Sequence, residues 1–186
     1  MLKFLGLLSK KKKIKSKTTI SIFVSVLRNV ILEGFIEVKD FINNNNNLEK
    51  SPNLKDTDID WFNNVVFLAN LSLLSRYFED NEVVHLRALF LDEIYKDLEN
   101  DANHLAIEKF LNYENYFNEL LIKHESPILA MVYALFEKYD INNFQGELFR
   151  KKKKPNPIFI SELKNVLRHF IWNWDDYLEK NKLDFD

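Results

Sequence analysis

From residue 18 to residue 42, apolar side chains recur every three or four positions: Ile20, Phe23, Val24, Leu27, Ile31, Phe35, Val38 and Ile42. That is the period of one face of an α-helix. The first half also alternates as a strand would, through Ile20, Ile22, Val24 and Val26, but the continuation to Ile42 decides for helix. Residues 61–78 are apolar on nearly every side between Val65 and Leu74, the pattern of a helix surrounded by others. Thr57-Asp58-Ile59-Asp60, just before, resembles a capping box. Asp80 or Asn81 caps a third helix reaching about Asn100, with Val83, Leu86, Phe90, Ile94 and Leu98 on its apolar face. A fourth covers about 102–122 and turns Ala106, Phe110, Tyr113, Phe117 and Leu121 inward. Ser126-Pro127 places a capping hydroxyl before proline, a helix start that opens a fifth, largely apolar helix to about Tyr139. Asn156-Pro157 repeats the signal for a last helix ending near Lys180.

The pattern predicts an all-α, single-domain bundle of about six helices. Residues 61–78 and 128–139 supply the two apolar central helices, and no β-strand is expected. Two longer connections interrupt the helices: an Asn-rich loop at 43–56, and 141–157 with Gly146, Pro155 and Pro157. Short links between the second and fifth helices make these antiparallel neighbours. The helical domain is set at 18–182, after a basic segment at 1–17 and before a frayed acidic tail at 183–186.

Composition narrows the chemistry. The 186 residues include no Cys, which excludes disulfides, thiolate metal sites and cysteine nucleophiles. With 3 Gly and 4 Pro there is little material for a phosphate-cradling loop. The net charge of −2 hides a strong segregation. Residues 1–17 hold seven Lys, and Arg150, Lys151, Lys152, Lys153 and Lys154 add five more basic residues, with no acid in either segment. The rest of the chain sets 14 basic residues against all 28 acidic ones. An acidic body repels nucleic acid and anionic lipid while the two clusters attract both, and the body fits a basic protein partner. The apolar start is too short for a signal peptide, and its basic run follows where it should precede. Charges interrupt residues 18–42, which argues against a transmembrane helix. A cytoplasmic location follows as the expectation, with the inner face of the membrane as an alternative station.

The four histidines carry most of any catalytic reading. Glu82 and His85 match one half of a di-metal bundle motif, yet His85 falls opposite the apolar face, and the second half is missing. His104 and Glu108 have metal-ligand spacing but point away from their helix's buried side. His124 lies in a short turn, and His169 at the edge of an apolar face. No His is followed by Asp, and no glycine-rich phosphate motif occurs. Paired acids such as Asp92-Glu93 and Asp175-Asp176 sit on polar faces. Neither a catalytic residue nor a cofactor or metal is expected from this inventory. A metal- or carboxylate-dependent helical enzyme is the third of the three functional expectations.

Two residues break the local pattern, and such breaks mark places to examine. Arg87 falls within the apolar arc of the third helix, where a guanidinium needs a carboxylate, so a structural ion pair is expected. Trp172 projects away from the core face of the last helix, between Arg168 and Asp176, a composition typical of protein-contact hot spots. Phe4, Leu5 and Leu8 beside Lys10, Lys11, Lys12 and Lys13 have the chemistry of a peripheral membrane anchor. Arg150 to Lys154 form a second anionic-surface candidate. Lys carries charge without a planar fork, and no aromatic interrupts either run, so sequence-specific nucleic-acid binding is not expected. The leading expectation is a non-enzymatic accessory, assembly or immunity-type factor that binds a protein partner stoichiometrically through its acidic helical surface. The alternative is a peripheral membrane protein anchored by residues 1–17.

Overall fold

The helical period of the sequence is realised as an all-α bundle with one small strand pair at its edge. The structure, a computed structural model, describes residues 11–185, the side chains of Asn100 and Asp101 apart. In chain order come β1 (Lys12–Lys15), α1 (Ser16–Asn43), α2 (Ile59–Leu71), α3 (Asp80–Tyr95), α4 (Asn100–His124), α5 (Pro127–Lys138), α6 (Glu147–Lys152), α7 (Pro157–Leu167), α8 (Trp174–Lys180) and β2 (Asn181–Asp184). Single 3-10 turns lie at Asp56–Asp58, Leu74–Arg76, Ile141–Phe144 and Arg168–Phe170.

Local signals place several helix ends. Ser126 Oγ accepts the Leu129 amide at 3.4 Å, and Asn156 Oδ1 accepts the Ile158 amide at 2.9 Å, each with proline in the first turn. Glu82 folds back to accept the Glu79 amide at 3.0 Å and so closes the start of α3. Between α4 and α5 the chain reverses at Glu125, which takes a left-handed φ of 54°.

The two apolar helices are central, as their all-round hydrophobicity predicts. α2 buries nine consecutive or near-consecutive positions including Phe62, Val65, Val66 and Phe67, and α5 buries Ala130, Met131, Val132, Ala134 and Leu135. They pack on each other; α1 covers α2 and α3, α4 covers α5, and α7 lies against α5 and α1. Rings fill the core: Phe23, Phe35, Phe62, Phe67, Phe90, Phe110, Phe117 and Phe159 are fully buried. Each such ring contributes about 2 kcal/mol of transfer free energy.

The structure departs from the sequence pattern at several places, α2 among them, which ends at Leu71 short of Phe78. Strands are present: β1 pairs in parallel with β2, Lys12 opposite Asn181 and Lys15 opposite Asp184. The start of the acidic tail is therefore an ordered strand, held by Leu183 against the core and by Lys13 Nζ to Asp184 at 2.9 Å. The 141–157 connection carries the short helix α6, so the Arg150 to Lys152 stretch is helical and not loop. Finally, the last helix is broken. α7 stops at Leu167, a 3-10 turn follows, and α8 restarts at Trp174.

Candidate functional site

The break between α7 and α8 is built around Asn70, fully buried on α2. Its amide nitrogen donates to the carbonyls of Val66 and Phe170, both at 2.8 Å. Its Oδ1 accepts the Trp172 backbone N–H at 2.7 Å. One side chain thus takes two main-chain groups out of a helical ladder and lets the chain turn. Asn173 Oδ1 then accepts the Asp176 amide at 3.1 Å and starts α8.

This geometry corrects the expected position of Trp172. It is not a helix-face residue pointing into solvent. It is half-buried in a ring cluster, edge-on to Phe23 at 5.6 Å and beside Trp174 at 6.0 Å and Tyr177 at 5.6 Å. Trp174 is fully buried and stacks on Phe23 at 5.4 Å. The indole of Trp172 stands between two open grooves of about 430 and 310 Å³. Arg76, Arg168 and Asp175 line the first; Asp176, Tyr177 and Lys180 line the second. The three residues singled out from the sequence are therefore neighbours, with exposed Arg168 and Asp176 on opposite sides of the ring.

The other candidates separate. Arg87 Nη2 donates to both carboxylate oxygens of Glu114 on α4, at 2.7 and 2.6 Å, and the pair is partly exposed. Phe4, Leu5, Leu8 and Lys10 lie outside the described residues. Lys11, Lys12 and Lys13 are exposed, the last two on β1. Arg150 reaches Glu49 at 3.5 Å and Lys151 reaches Glu147 at 2.5 Å, while Lys152, Lys153 and Lys154 remain exposed. Lys153 ends α6 in a left-handed conformation (φ 49°). Buried Gln145 fixes the turn that follows, donating to the Lys154 carbonyl at 3.2 Å and accepting the Asn156 amide at 2.6 Å.

Lys153 and Lys154 thereby edge a cleft of about 680 Å³ that the sequence did not reveal. Its other walls include Lys123, His124, Tyr133, Glu137 and Asp140. His124 lies flat on Tyr133, with ring centroids 3.7 Å apart, and its buried Nε2 has no hydrogen-bond partner. Desolvation, helped by Lys123, holds its pKa below the ordinary histidine value. The clue in the sequence was slight: a His two residues before a cap and nine before a Tyr.

The remaining histidines, His85, His104 and His169, are all exposed. His85 has Nε2 3.0 Å from Ser16 Oγ and its ring against Phe185. Its motif partner Glu82 is occupied at the α3 cap. Glu93 accepts from Lys96 and Ser21, and the Lys96 hydrogen bond keeps its carboxyl below the usual carboxylate value. Among the described residues, no three or more His, Asp or Glu side chains gather in a way that could hold a metal ion. Compared with known proteins, the chain matches no protein-family model, no curated protein and no solved structure.

Proposed function

We propose that this chain is a non-enzymatic binding protein that acts by stoichiometric contact with a basic protein partner, and that Trp172 is the centre of the contact. The observation that carries this reading is a half-buried indole, packed edge-on to Phe23 with its backbone N–H held by Asn70, standing between two grooves. Interface hot spots are rich in Trp and Arg, seated centrally and ringed by polar groups. Trp172 with Arg76, Arg168, Asp176 and Lys180 has that composition. Its ordering entropy has already been spent in folding, which leaves more of the contact energy for affinity. The acid surplus outside the two Lys-rich segments supports a basic partner through long-range attraction.

The test is affinity capture from native extract with wild type, Trp172→Ala, Trp172→Phe and, as an unrelated exposed-residue control, Ile158→Ala. One protein should be retained by wild type and by the control. Its affinity should fall about 30-fold with Trp172→Ala, corresponding to about 2 kcal/mol, and less with Trp172→Phe. It should reconstitute at one-to-one stoichiometry. Equal retention by all four proteins overturns the reading. Salt-sensitive flotation with anionic liposomes that disappears on removing residues 1–17 would instead favour the membrane alternative.

A further inference from the structure

The cleft at His124 is where the second Lys-rich run meets a concave surface, and the Trp172 contact uses neither. Its volume of about 680 Å³ lies within the range of small-ligand sites, about 300–1,000 Å³. Among the described residues it shares no lining side chain with the grooves beside Trp172. Its walls are held from behind. Fully buried Gln145 donates from Nε2 to Asn142 Oδ1 and to the Lys154 carbonyl, both at 3.2 Å, and so ties two lining residues to one amide. Asp140 and Lys153 also line the cleft, each in the left-handed region, at φ 52° and 49°. That conformation is costly for a residue with a Cβ and persists where the surrounding structure imposes it.

The cleft offers cations, an aromatic surface and fixed acceptors. Lys123 at the end of α4 and Lys153 and Lys154 after α6 bring exposed ammonium groups to it from separate segments. Among the described residues none of the three makes an ion pair or a side-chain hydrogen bond, whereas Arg150 and Lys151 of the same run are taken by Glu49 and Glu147. The stacked rings of His124 and Tyr133, both half-buried, make a flat aromatic wall. Two carboxylates complete the lining, and each is fixed through one oxygen. Tyr116 donates its hydroxyl to Glu137 Oε2 at 2.5 Å, and Asn143 Nδ2 donates to Asp140 Oδ2. The second oxygen of each accepts no hydrogen bond among the described residues.

We infer that this cleft binds a nucleotide, a flat heterocycle carrying sugar hydroxyls and phosphate. Lysine serves phosphate as a point charge. An aromatic wall stacks any base, whatever its identity. The free carboxylate oxygens accept from sugar hydroxyls or exocyclic amines. Inorganic phosphate would use the lysines alone. An acidic peptide would leave the rings unused and meet two carboxylates of its own sign. The ligand is held here and no reaction is assigned to it, so the site adds to the protein-contact reading without depending on it.

Titration calorimetry on the full chain tests this with the four ribonucleoside diphosphates, the matching nucleosides, inorganic phosphate, an oligouridine strand and phosphatidylserine vesicles. At least one diphosphate should bind one-to-one, about tenfold or more tighter than its nucleoside and than inorganic phosphate. Lys153→Gly combined with Lys154→Gln should weaken that binding about tenfold. Glycine suits the left-handed position, so this variant keeps its fold. Tyr133→Leu should weaken it as well. Lys152→Ala removes one charge from the same run outside the cleft and should cost less than about twofold. No binding of any diphosphate at about 1 mM overturns the inference. So does binding of a nucleoside or of phosphate as tight as that of the diphosphate, or an equal loss with Lys152→Ala, which would mark diffuse charge. Retention of the strand or the vesicles that no diphosphate displaces also overturns it, because polymer or lipid phosphate would then be what the lysines meet.

Discussion

Asn70 shows how one polar residue can set the geometry around it. Its carboxamide replaces hydrogen bonds that an unbroken α7–α8 helix would have made. Replacing it by Leu fills similar volume but leaves the Phe170 carbonyl and the Trp172 N–H without partners in a dry site. Asn70→Leu should therefore cost about 2–4 kcal/mol in urea unfolding. Tryptophan emission should also shift to the red as the cluster around Trp172 loosens. In the sequence, Asn70 is a lone amide inside an apolar run, a signal that it is buried but not of what it binds. Arg87 was more readable, because a guanidinium on an apolar arc demands an acid. That the acid is Glu114, on the neighbouring helix, depends on how α3 and α4 pack.

At the scale of elements, periodicity located the helices well because each must bury one face. It failed at the last one. Phe159, Leu163, Phe170 and Trp174 are all buried as an unbroken helix would have them, so the break leaves no mark on the apolar pattern. The cause is tertiary: Asn70 captures the turn, and α1 presses against it at Gly34. A Cβ at Gly34 would stand 2.6 and 2.7 Å from two carbons of the Phe170 ring. Gly34→Ala should destabilise the fold by about 1–3 kcal/mol through overpacking. Phe170→Leu should recover part of that loss in the double variant, which thermal melts of the four proteins would read as a coupling.

For the whole molecule, the sequence made the charge segregation plain but not what one part of it does. The KKIK of β1 reads as part of a basic, anion-attracting segment, and Leu183-Asp184 of β2 as the start of a tail, because only Ile14 and Leu183 in the two strands carry apolar weight. Their pairing joins segments more than a hundred and fifty residues apart, beyond the reach of any local pattern. The larger groove beside Trp172 and the cleft at His124 were hidden for the same reason, since each is assembled from distant turns. Removing residues 181–186 should free the Lys12–Lys15 amides, which hydrogen exchange would detect as lost protection over that strand. It should also lower stability by about 2 kcal/mol, mainly through loss of Leu183 burial.

The strand pair also gives the molecule a mechanical direction. β1 and β2 run parallel, with most of the chain between them. A pull on the chain before Lys12 and after Asp184 draws the strands past each other along their length. The ladder is then loaded in shear, its hydrogen bonds sharing the force together and not opening one after another. The helices behind it carry no tension until that ladder yields. A bundle that would otherwise unravel helix by helix is thereby clasped at its ends, and the four-residue pairing sets the force at which stretching begins.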